Sequence, residues 1–360
     1  MISIIKKGIS TLKEDGFIVF IVRIYNYTIV KLKRLFFKKD KKNILKWLSL
    51  KNKYQGKRIF ILGNGPSLNK TELYLLKNEY TMCFNRINLM LERLNWIPNF
   101  FAVTDDLLIG DMHAELKKEI IPIVDNAFFP DLHPSNVDFK KYIGDYENVY
   151  YLNTDLPEFS LNLPKCGIKK TVVNAGLQIA AYMGFKEIYV LGVDLTFTDQ
   201  KVKKNNSRNW KATKDDDPNH FDPRYFGSGR SYHNPSAGQM GNAFIEANQF
   251  FNNNGIKVYN AGIGGRLDAF ERIEYNSLFN YSNEEKELLF MEMINIKNIN
   301  NFNLLEEKYK FIDNVENYSP DLDTFLIPSD IVSNFIKASI FSHIPFGPFK
   351  GKYVFKKRIL

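Results

Sequence analysis

The stretch RIFILGNGPS, residues 58–67, decides the fold. Its apolar part, Ile59 to Leu62, is typical of a strand buried on both faces of a parallel sheet. The turn after it lets the backbone approach a phosphate, and Ser67 is placed to cap a helix through Leu75. We therefore predict a strand, a ligand-binding turn and a helix, in which the turn comprises Gly63, Asn64, Gly65, Pro66 and Ser67.

This turn does not identify its ligand. It has no lysine where a P-loop needs one, and it lacks the third glycine of a dinucleotide fingerprint. A tight connection between a strand and a helix, without any ligand, explains the same residues equally well.

Further apolar runs alternate with helix-like segments along the chain. We predict strands at 81–84, 100–104, 120–124, 149–152, 187–192 and 256–260, and helices at 172–183 and 243–251. Strands that alternate with helices predict an α/β fold with a mostly parallel sheet.

Polar residues follow several of these strands. Ligands of open parallel sheets bind at the carboxyl ends of the strands, so these residues predict one shared cleft. They are Asn85, Asn88, Thr104, Asp105 and Asp194. Asparagine and aspartate also cap helices, which is an alternative explanation for each of them.

Small residues begin the helix predicted at 172–183. Asn174, Ala175 and Gly176 leave room for a base or a ribose to approach. Close packing of the helix on the sheet explains them equally well.

The segment 199–239, which we call the lid, departs from the α/β pattern because it is polar and rich in Asp, Asn, Arg, Tyr and His. Long loops in compact domains are often functional. His220 or His233 could take a proton from a hydroxyl group, and a tyrosine hydroxyl or an arginine such as Arg230 could stabilise a departing phosphate. A single histidine is more often structural.

Composition excludes several classes of protein. The 360 residues suit one large or two modest domains, and two cysteines without a CxxC pair suit neither a disulfide framework nor a zinc site. Residues 1–58 contain 16 Lys and Arg against 3 acidic residues, which leaves 33 basic and 37 acidic residues in the rest of the chain. A basic arm on an acidic body argues against a nucleic-acid-binding protein.

The arm predicts an amphipathic helix. At about 100° per residue, apolar residues share one side and basic residues the other, a pattern typical of helices that bind anionic lipid. The apolar side holds Ile21, Tyr25, Ile29, Leu32, Leu35 and Phe36, and the basic side holds Arg23, Lys31, Arg34 and Lys38. A helix that packs on its own domain is the alternative. No apolar run is long enough to span a bilayer.

Two motifs together carry a family resemblance: ILGNGPSL at 61–68 and GFKEIYVLGVD at 184–194. Over Arg58 to Ala269 the chain resembles the bacterial sialyltransferases of glycosyltransferase family 42, the central domain of Maf flagellin glycosyltransferases and the MptE-like hydroxymethylpterin pyrophosphokinases. The resemblance implies a Rossmann-like fold with helices on both faces of the sheet. It also implies a CMP-linked nonulosonate donor and inversion without metal or other cofactor.

The family-42 resemblance also implies roles for individual residues. Asn64 and Gly65 match the turn that meets the nucleotide phosphate, and Asn174 to Gly176 match a small-residue turn near the nucleotide. Asn85 or Asn88 matches a further asparagine, whereas Asp105 stands where the family has another. His233 fits the spacing of the general base, with His220 as its rival, and Tyr225 and Tyr232 are the candidates for the family's phosphate-binding tyrosines.

Together these features predict a cytoplasmic glycosyltransferase on the inner face of the membrane that transfers a sugar to a surface glycan precursor. The expected divisions are a membrane-associating arm at 1–55, a catalytic domain at 56–275 and a C-terminal helical region at 276–360. The main alternative is an MptE-like pyrophosphokinase that uses ATP and Mg²⁺ held by Asp105, Asp106 and Asp194. A non-catalytic nucleotide-binding protein is the third.

Overall fold

The computed structural model describes residues 17–36, 40–91, 94, 96–154, 156–198, 202–204, 209–233, 235–282, 284–286, 288–289, 309–311, 324–328 and 352–357. The rest of the arm, which includes Lys38, lies outside the described residues. The helices are α1 (Phe17–Phe36), α2 (Lys41–Leu50), α3 (Asp106–Glu115), α4 (Phe139–Ile143), α5 (Val172–Tyr182) and α6 (Ala237–Asn253).

Eight parallel strands form the central sheet. They are β1 (Arg58–Leu62), β2 (Tyr80–Phe84), β3 (Phe100–Ala102), β4 (Asn126–Pro130), β5 (Val149–Leu152), β6 (Glu187–Leu191), β10 (Lys257–Asn260) and β11 (Glu271–Arg272). Their order is β11-β10-β6-β1-β2-β3-β4-β5, and every ladder is parallel. This confirms the α/β fold. Since β1 lies inside the sheet, its apolar run is buried on both faces.

Each face of the sheet carries its own apolar core. One core contains the buried residues of α5 and α6 together with Trp47 of α2. The other contains the buried residues of α3 and of the short turns after β1, together with Phe221 and Tyr225 of the lid. The prediction of structure on both faces of the sheet is therefore confirmed, and part of the lid belongs to a core.

Two local predictions are wrong. Residues 66–75 form two 3₁₀ segments, Pro66–Lys70 and Leu73–Leu76, instead of one α-helix capped by Ser67. Gly65 is at the cap position because the Ser67 hydroxyl binds Asp194 instead. The apolar run 120–124 ends a helical segment, and the strand comes later as β4.

The described residues also form two smaller, antiparallel sheets. The lid forms β7 (Val202–Lys204), β8 (Asn209–Ala212) and β9 (Ser231–His233). The C-terminal region forms β12 (Tyr309–Phe311), β13 (Thr324–Pro328) and β14 (Lys352–Lys357), so the expected helical region is wrong for these residues. Apolar runs this short do not distinguish a strand from a buried helix by periodicity.

Gly176 and Gly110 form a matched pair of helical glycines. A Cβ on Gly176 would lie 2.5 Å from the Phe84 ring, whereas one on Gly110 would meet nothing within 4 Å. We expect Gly176→Ala to lower the free energy of unfolding by about 1–3 kcal/mol through overpacking. Gly110→Ala should raise it by about 0.4–1 kcal/mol. Urea denaturation checks both values, and equal effects of the two substitutions would contradict this packing.

Candidate functional site

The turn after β1 is bound by the chain's own carboxylate. Asp194 accepts hydrogen bonds from the Ser67 backbone N–H, at 3.0 Å, and from the Ser67 hydroxyl. A Cβ on Gly65 would lie 2.5 Å from Asp194 Oδ2 and 2.9 Å from the Gly192 carbonyl oxygen. The glycines therefore leave room for Asp194 and for the backbone that follows β6. Asp194 already binds one N–H group of the turn at which the sequence predicted a phosphate.

The small residues of α5 likewise pack against other parts of the protein. Asn174 and Ala175 are fully buried, and Gly176 packs on Phe84. Packing of the helix on the sheet, the alternative weighed from sequence, accounts for Gly176.

Four of the predicted asparagines have a buried side-chain oxygen without a hydrogen-bond partner among the described residues. They are Asn64, Asn85, Asn88 and Asn174. In three of them the amide nitrogen is already engaged: Asn88 donates to Glu119, Asn174 donates to the Lys169 carbonyl, and Asn85 is hydrogen-bonded to Tyr225. An unsatisfied buried acceptor costs about 1–3 kcal/mol. These oxygens therefore fit a ligand that supplies hydroxyl or amino donors.

The end of β2 brings a guanidinium group into the site. Asn85 adopts a left-handed backbone with φ of 54°, which asparagine tolerates, and Arg86 follows it. Arg86 is 6% exposed, its Nη2 lies 3.4 Å from Glu115, and its Nε has no hydrogen-bond partner among the described residues. The carboxyl end of β2 was the available signal for this residue, which the sequence reasoning missed.

Arg230 of the lid reaches the same carboxylate. Its Nη2 donates to Glu115 Oε1 at 2.9 Å and its Nη1 donates to the Asp111 carbonyl at 3.0 Å. Burial lowers the pKa of Arg86, and the nearby charge of Arg230 lowers it further, while Glu115 opposes both effects. Two guanidinium groups thus share one carboxylate at this edge of the sheet.

His233 meets two carboxylates beyond the end of β3. Its Nε2 lies 3.1 Å from Asp106 Oδ1 and 3.9 Å from Asp105 Oδ1. The His233 side chain is 44% exposed, whereas that of Asp106 is 15% exposed. An imidazole that is open to solvent and held by a partly buried carboxylate has the arrangement of a general base.

A loop after β4 supports this pair from the other side. His133 Nδ1 lies 3.9 Å from Asp106 Oδ2 and 2.7 Å from the Ser135 hydroxyl. Burial alone would raise the pKa of Asp106, but hydrogen bonds from His233 and Ser135 and the nearby His133 ring hold that pKa well below its usual range. Burial lowers the pKa of His133 although both carboxylates oppose the change. The misplaced strand at 120–124 concealed this loop from the sequence reasoning.

Asp105 caps a helix, as the alternative from sequence proposed. It begins α3 by accepting hydrogen bonds from the N–H groups of Leu107 and Leu108, at 2.9 and 3.0 Å. Burial raises its pKa, and the His233 charge and these two N–H groups oppose the rise. Thr104, just before it, is buried.

The other predicted lid residues are packed tightly. Tyr225 is fully buried, and the ring of His220 stacks on it with centroids 3.9 Å apart. His220 Nδ1 also lies 2.8 Å from Asp217 Oδ2. Tyr232 stacks on Phe226, and burial raises its pKa to about 12.

Hydrogen bonds tie the lid to the turn. Phe221 N–H donates to the Asn64 carbonyl at 2.9 Å, and Asn69 donates to the Phe221 carbonyl at 2.9 Å. The lid thus joins the turn of β1 to the end of β2, where Tyr225 meets Asn85.

Asp105, Asp106 and His233 could also bind a metal ion. Each offers one ligand atom, and these atoms lie within 4.8 Å of one another. Two carboxylates and an imidazole suit Mn²⁺ or Zn²⁺ better than Mg²⁺, which prefers oxygen ligands. Asp194, expected in the alternative magnesium set, binds Ser67 instead.

Substitution of Asp105 separates its capping role from its charge. Asn caps helices as well as Asp does, so Asp105→Ala should lower the free energy of unfolding by about 1 kcal/mol relative to Asp105→Asn. Because the folded pKa of Asp105 is raised, its ionisation costs stability. The advantage of Asp105→Asn over the wild type should be absent in acid and grow as pH rises through that raised pKa. Denaturation at several pH values checks this, and a pH-independent difference would contradict it.

Comparisons with known proteins bear on residues 36–200, which match the model of the family described as 6-hydroxymethylpterin diphosphokinase MptE-like. No curated protein matches the chain. A Maf glycosyltransferase structure from Magnetospirillum magneticum AMB-1 is 15% identical to this chain, with a TM-score of 0.41. The match covers 74% of this chain and 46% of the Maf chain, so this chain spans about half the length of that protein. The sialyltransferase CstII from Campylobacter jejuni, solved with cytidine-5'-monophosphate, is 15% identical with a TM-score of 0.37; the match covers 63% of this chain and 89% of that one. Over 36–200 the chain therefore has the MptE-like sequence pattern that its motifs predicted.

Proposed function

We propose that this protein is a glycosyltransferase that moves a sugar from a nucleotide-activated donor to a glycan hydroxyl group. The observation that carries the proposal is the contact between the exposed His233 and the partly buried Asp106 at the carboxyl edge of the sheet. The favoured donor is a CMP-linked nonulosonate, the favoured acceptor is a surface glycan precursor, and the favoured place is the inner face of the cell membrane.

His233 acts as the general base in this proposal. It takes the proton of the acceptor hydroxyl as the hydroxyl oxygen attacks the anomeric carbon. The bond from that carbon to the phosphate oxygen breaks, its electron pair leaves with CMP, and the configuration inverts. The Asp106 carboxylate stabilises the imidazolium that forms, because an ion pair in a partly buried site is screened less than one in water.

Arg86 and Arg230 hold the departing phosphate in this proposal. Arg86 is buried, its Nη2 lies as far as 3.4 Å from Glu115, and its Nε has no hydrogen-bond partner among the described residues, so an anion would complete its hydrogen bonding. Guanidinium groups bind phosphate through two parallel hydrogen bonds, which suits a leaving group that gains charge. This assignment replaces the turn at Gly63–Ser67, where Asp194 already binds the Ser67 N–H.

The nucleoside portion fits the unsatisfied asparagine oxygens. A ribose carries hydroxyl donors and cytosine carries an amino donor, and both kinds of group can satisfy amide oxygens. Asn64 and Asn85 follow neighbouring strands β1 and β2, where nucleotides bind in folds of this kind.

A diphosphokinase is the second candidate. The family match and the cluster of Asp105, Asp106 and His233 favour it, because transfer of a diphosphate requires a divalent metal ion to neutralise the phosphates. In that enzyme His233 would be a metal ligand and not a base, so the two functions predict opposite responses to chelators.

Substitution of His233 tests the base. His233→Ala should lower kcat by about 10²–10⁴-fold with little change in donor affinity, because a positioned base acts on the chemical step. His220→Ala should have a smaller effect, since His220 stacks on Tyr225 and pairs with Asp217. Rates of CMP release from a CMP-sugar in the presence of acceptor check this. Near-wild-type turnover of His233→Ala would contradict the assignment.

Nucleotide binding tests the donor site and separates the two functions. CMP should raise the melting temperature in the presence of EDTA, by the amount that corresponds to about 2.7 kcal/mol at a hundredfold excess over Kd. Arg86→Met should abolish this shift while the unliganded protein stays stable, because Glu115 keeps its contact with Arg230. Asn64→Ala should weaken the shift. A shift seen only with ATP and a divalent metal would favour the diphosphokinase.

A further inference from the structure

Helix α1 exposes three of the side chains that the sequence assigned to its apolar side. Ile21, Tyr25 and Leu32 are 46%, 61% and 46% exposed. At about 100° per residue these three side chains cluster on one face, and Val30, which is 4% exposed, lies roughly opposite them. The helix does pack on its own domain, as the alternative weighed from sequence proposed, but it does so through the side that carries Val30 and not through Ile21, Tyr25 and Leu32.

Polar contacts fix this orientation. Arg34 donates to the Asp131 carboxylate at 3.2 and 3.4 Å and to the Leu132 carbonyl at 2.9 Å. Lys33 donates to the Asn136 side chain at 2.8 Å. Arg34 and Val30 are four residues apart and share the side that meets the body. The loop after β4 therefore holds α1 with its apolar face outward.

Charge identifies what this face binds. Lys31 and Lys33 lie on either side of the apolar face and both are exposed, although the Lys33 amine also donates a hydrogen bond to Asn136. The described part of α1 has no acidic residue in its sequence. Basic residues that border an apolar helical face match anionic headgroups above an acyl layer. Among the described residues no helix is both long and apolar enough to cross a bilayer, so the helix would lie in the interface.

The loop that holds α1 also reaches the candidate catalytic residues. Asp131 and Asn136 bind α1, while His133 and Ser135 between them contact Asp106. A surface bound by α1 is thus connected to the carboxyl edge of the sheet through a single loop of six residues, 131–136.

We infer that the outward face of α1, centred on Ile21, Tyr25 and Leu32, binds an anionic phospholipid surface and places the edge with His233 beside it. A lipid-linked acceptor would then reach His233 from the membrane; this last step rests on the proposed function. The lipid-binding face itself does not.

Flotation of the full-length protein with vesicles tests the face. The wild type should float with vesicles that contain phosphatidylglycerol, and less with phosphatidylcholine alone. Ile21→Ser/Tyr25→Ser should lower the partition coefficient at least about tenfold, because each apolar side chain contributes when it enters the acyl layer. The matched control Phe197→Ser/Ile245→Ser removes two exposed apolar side chains outside α1 and should float like the wild type.

The CMP-induced melting shift, measured on the same variants, keeps this test separate from the proposed function. It should be unchanged in Ile21→Ser/Tyr25→Ser. A wild type that binds CMP but does not float overturns the lipid face alone, and one that floats without any CMP shift counts against the proposed donor alone. Concentration-dependent dimerisation through Ile21 and Tyr25 without vesicle binding would assign the face to a second copy and overturn the inference.

Discussion

The carboxylate of Asp194 binds the backbone N–H and the hydroxyl of Ser67, and this contact joins the end of β6 to the turn that leaves β1. Burial raises the pKa of Asp194, and the hydrogen bonds from Ser67 and the charges of Lys70 and His220 oppose that rise. Gly63 N–H donates to the Leu191 carbonyl at 2.7 Å, and Gly65 N–H donates to the Gly192 carbonyl at 2.8 Å. These four hydrogen bonds join the turn after β1 to the end of β6 and the residues that follow it.

The candidate site depends on this junction because the lid is hydrogen-bonded to it. Phe221 binds the Asn64 carbonyl, and the segment after Phe221 brings Tyr225 to Asn85 at the end of β2. Farther along, β9 carries Arg230 to Glu115 and His233 to Asp106. A segment without a helical or apolar pattern becomes ordered because its backbone and side chains bind groups at three successive strand ends.

The sequence predicted the layers of this fold well, because apolar runs bury themselves in only a few ways. It predicted which strand ends carry polar groups, and His233 does lie at such an end with Asp106. It could not show that the anion at Ser67 is Asp194, since 127 residues separate them. Gly176 and Asp105 illustrate the same limit: small size and capping ability are local properties, whereas the role depends on a distant partner such as Phe84 or His233.

Arg86 was missed for a different reason. A buried guanidinium is rare, so an arginine after an apolar strand is normally expected to reach solvent. Here Trp96, Met90 and the lid residue Tyr225 contribute to the core on that face of the sheet, and Arg86 remains 6% exposed. Its burial follows from the lid, and the lid's position follows from contacts that no periodicity encodes.

The charges at the site distinguish the two candidate reactions. Asp105 and Asp106 face His133 and His233, and Arg86 and Arg230 share Glu115. If the imidazoles are neutral, these three carboxylates carry more negative charge than the two guanidinium groups can balance. A triphosphate would therefore be repelled unless a metal ion first bound to the aspartates. A donor with a single phosphodiester meets less repulsion, and the carboxylate at His233 favours the imidazolium that forms when an acceptor hydroxyl loses its proton. In the proposed glycosyl transfer the same aspartates would therefore favour a reaction without a metal ion, whereas they would oppose the binding of a metal-free triphosphate.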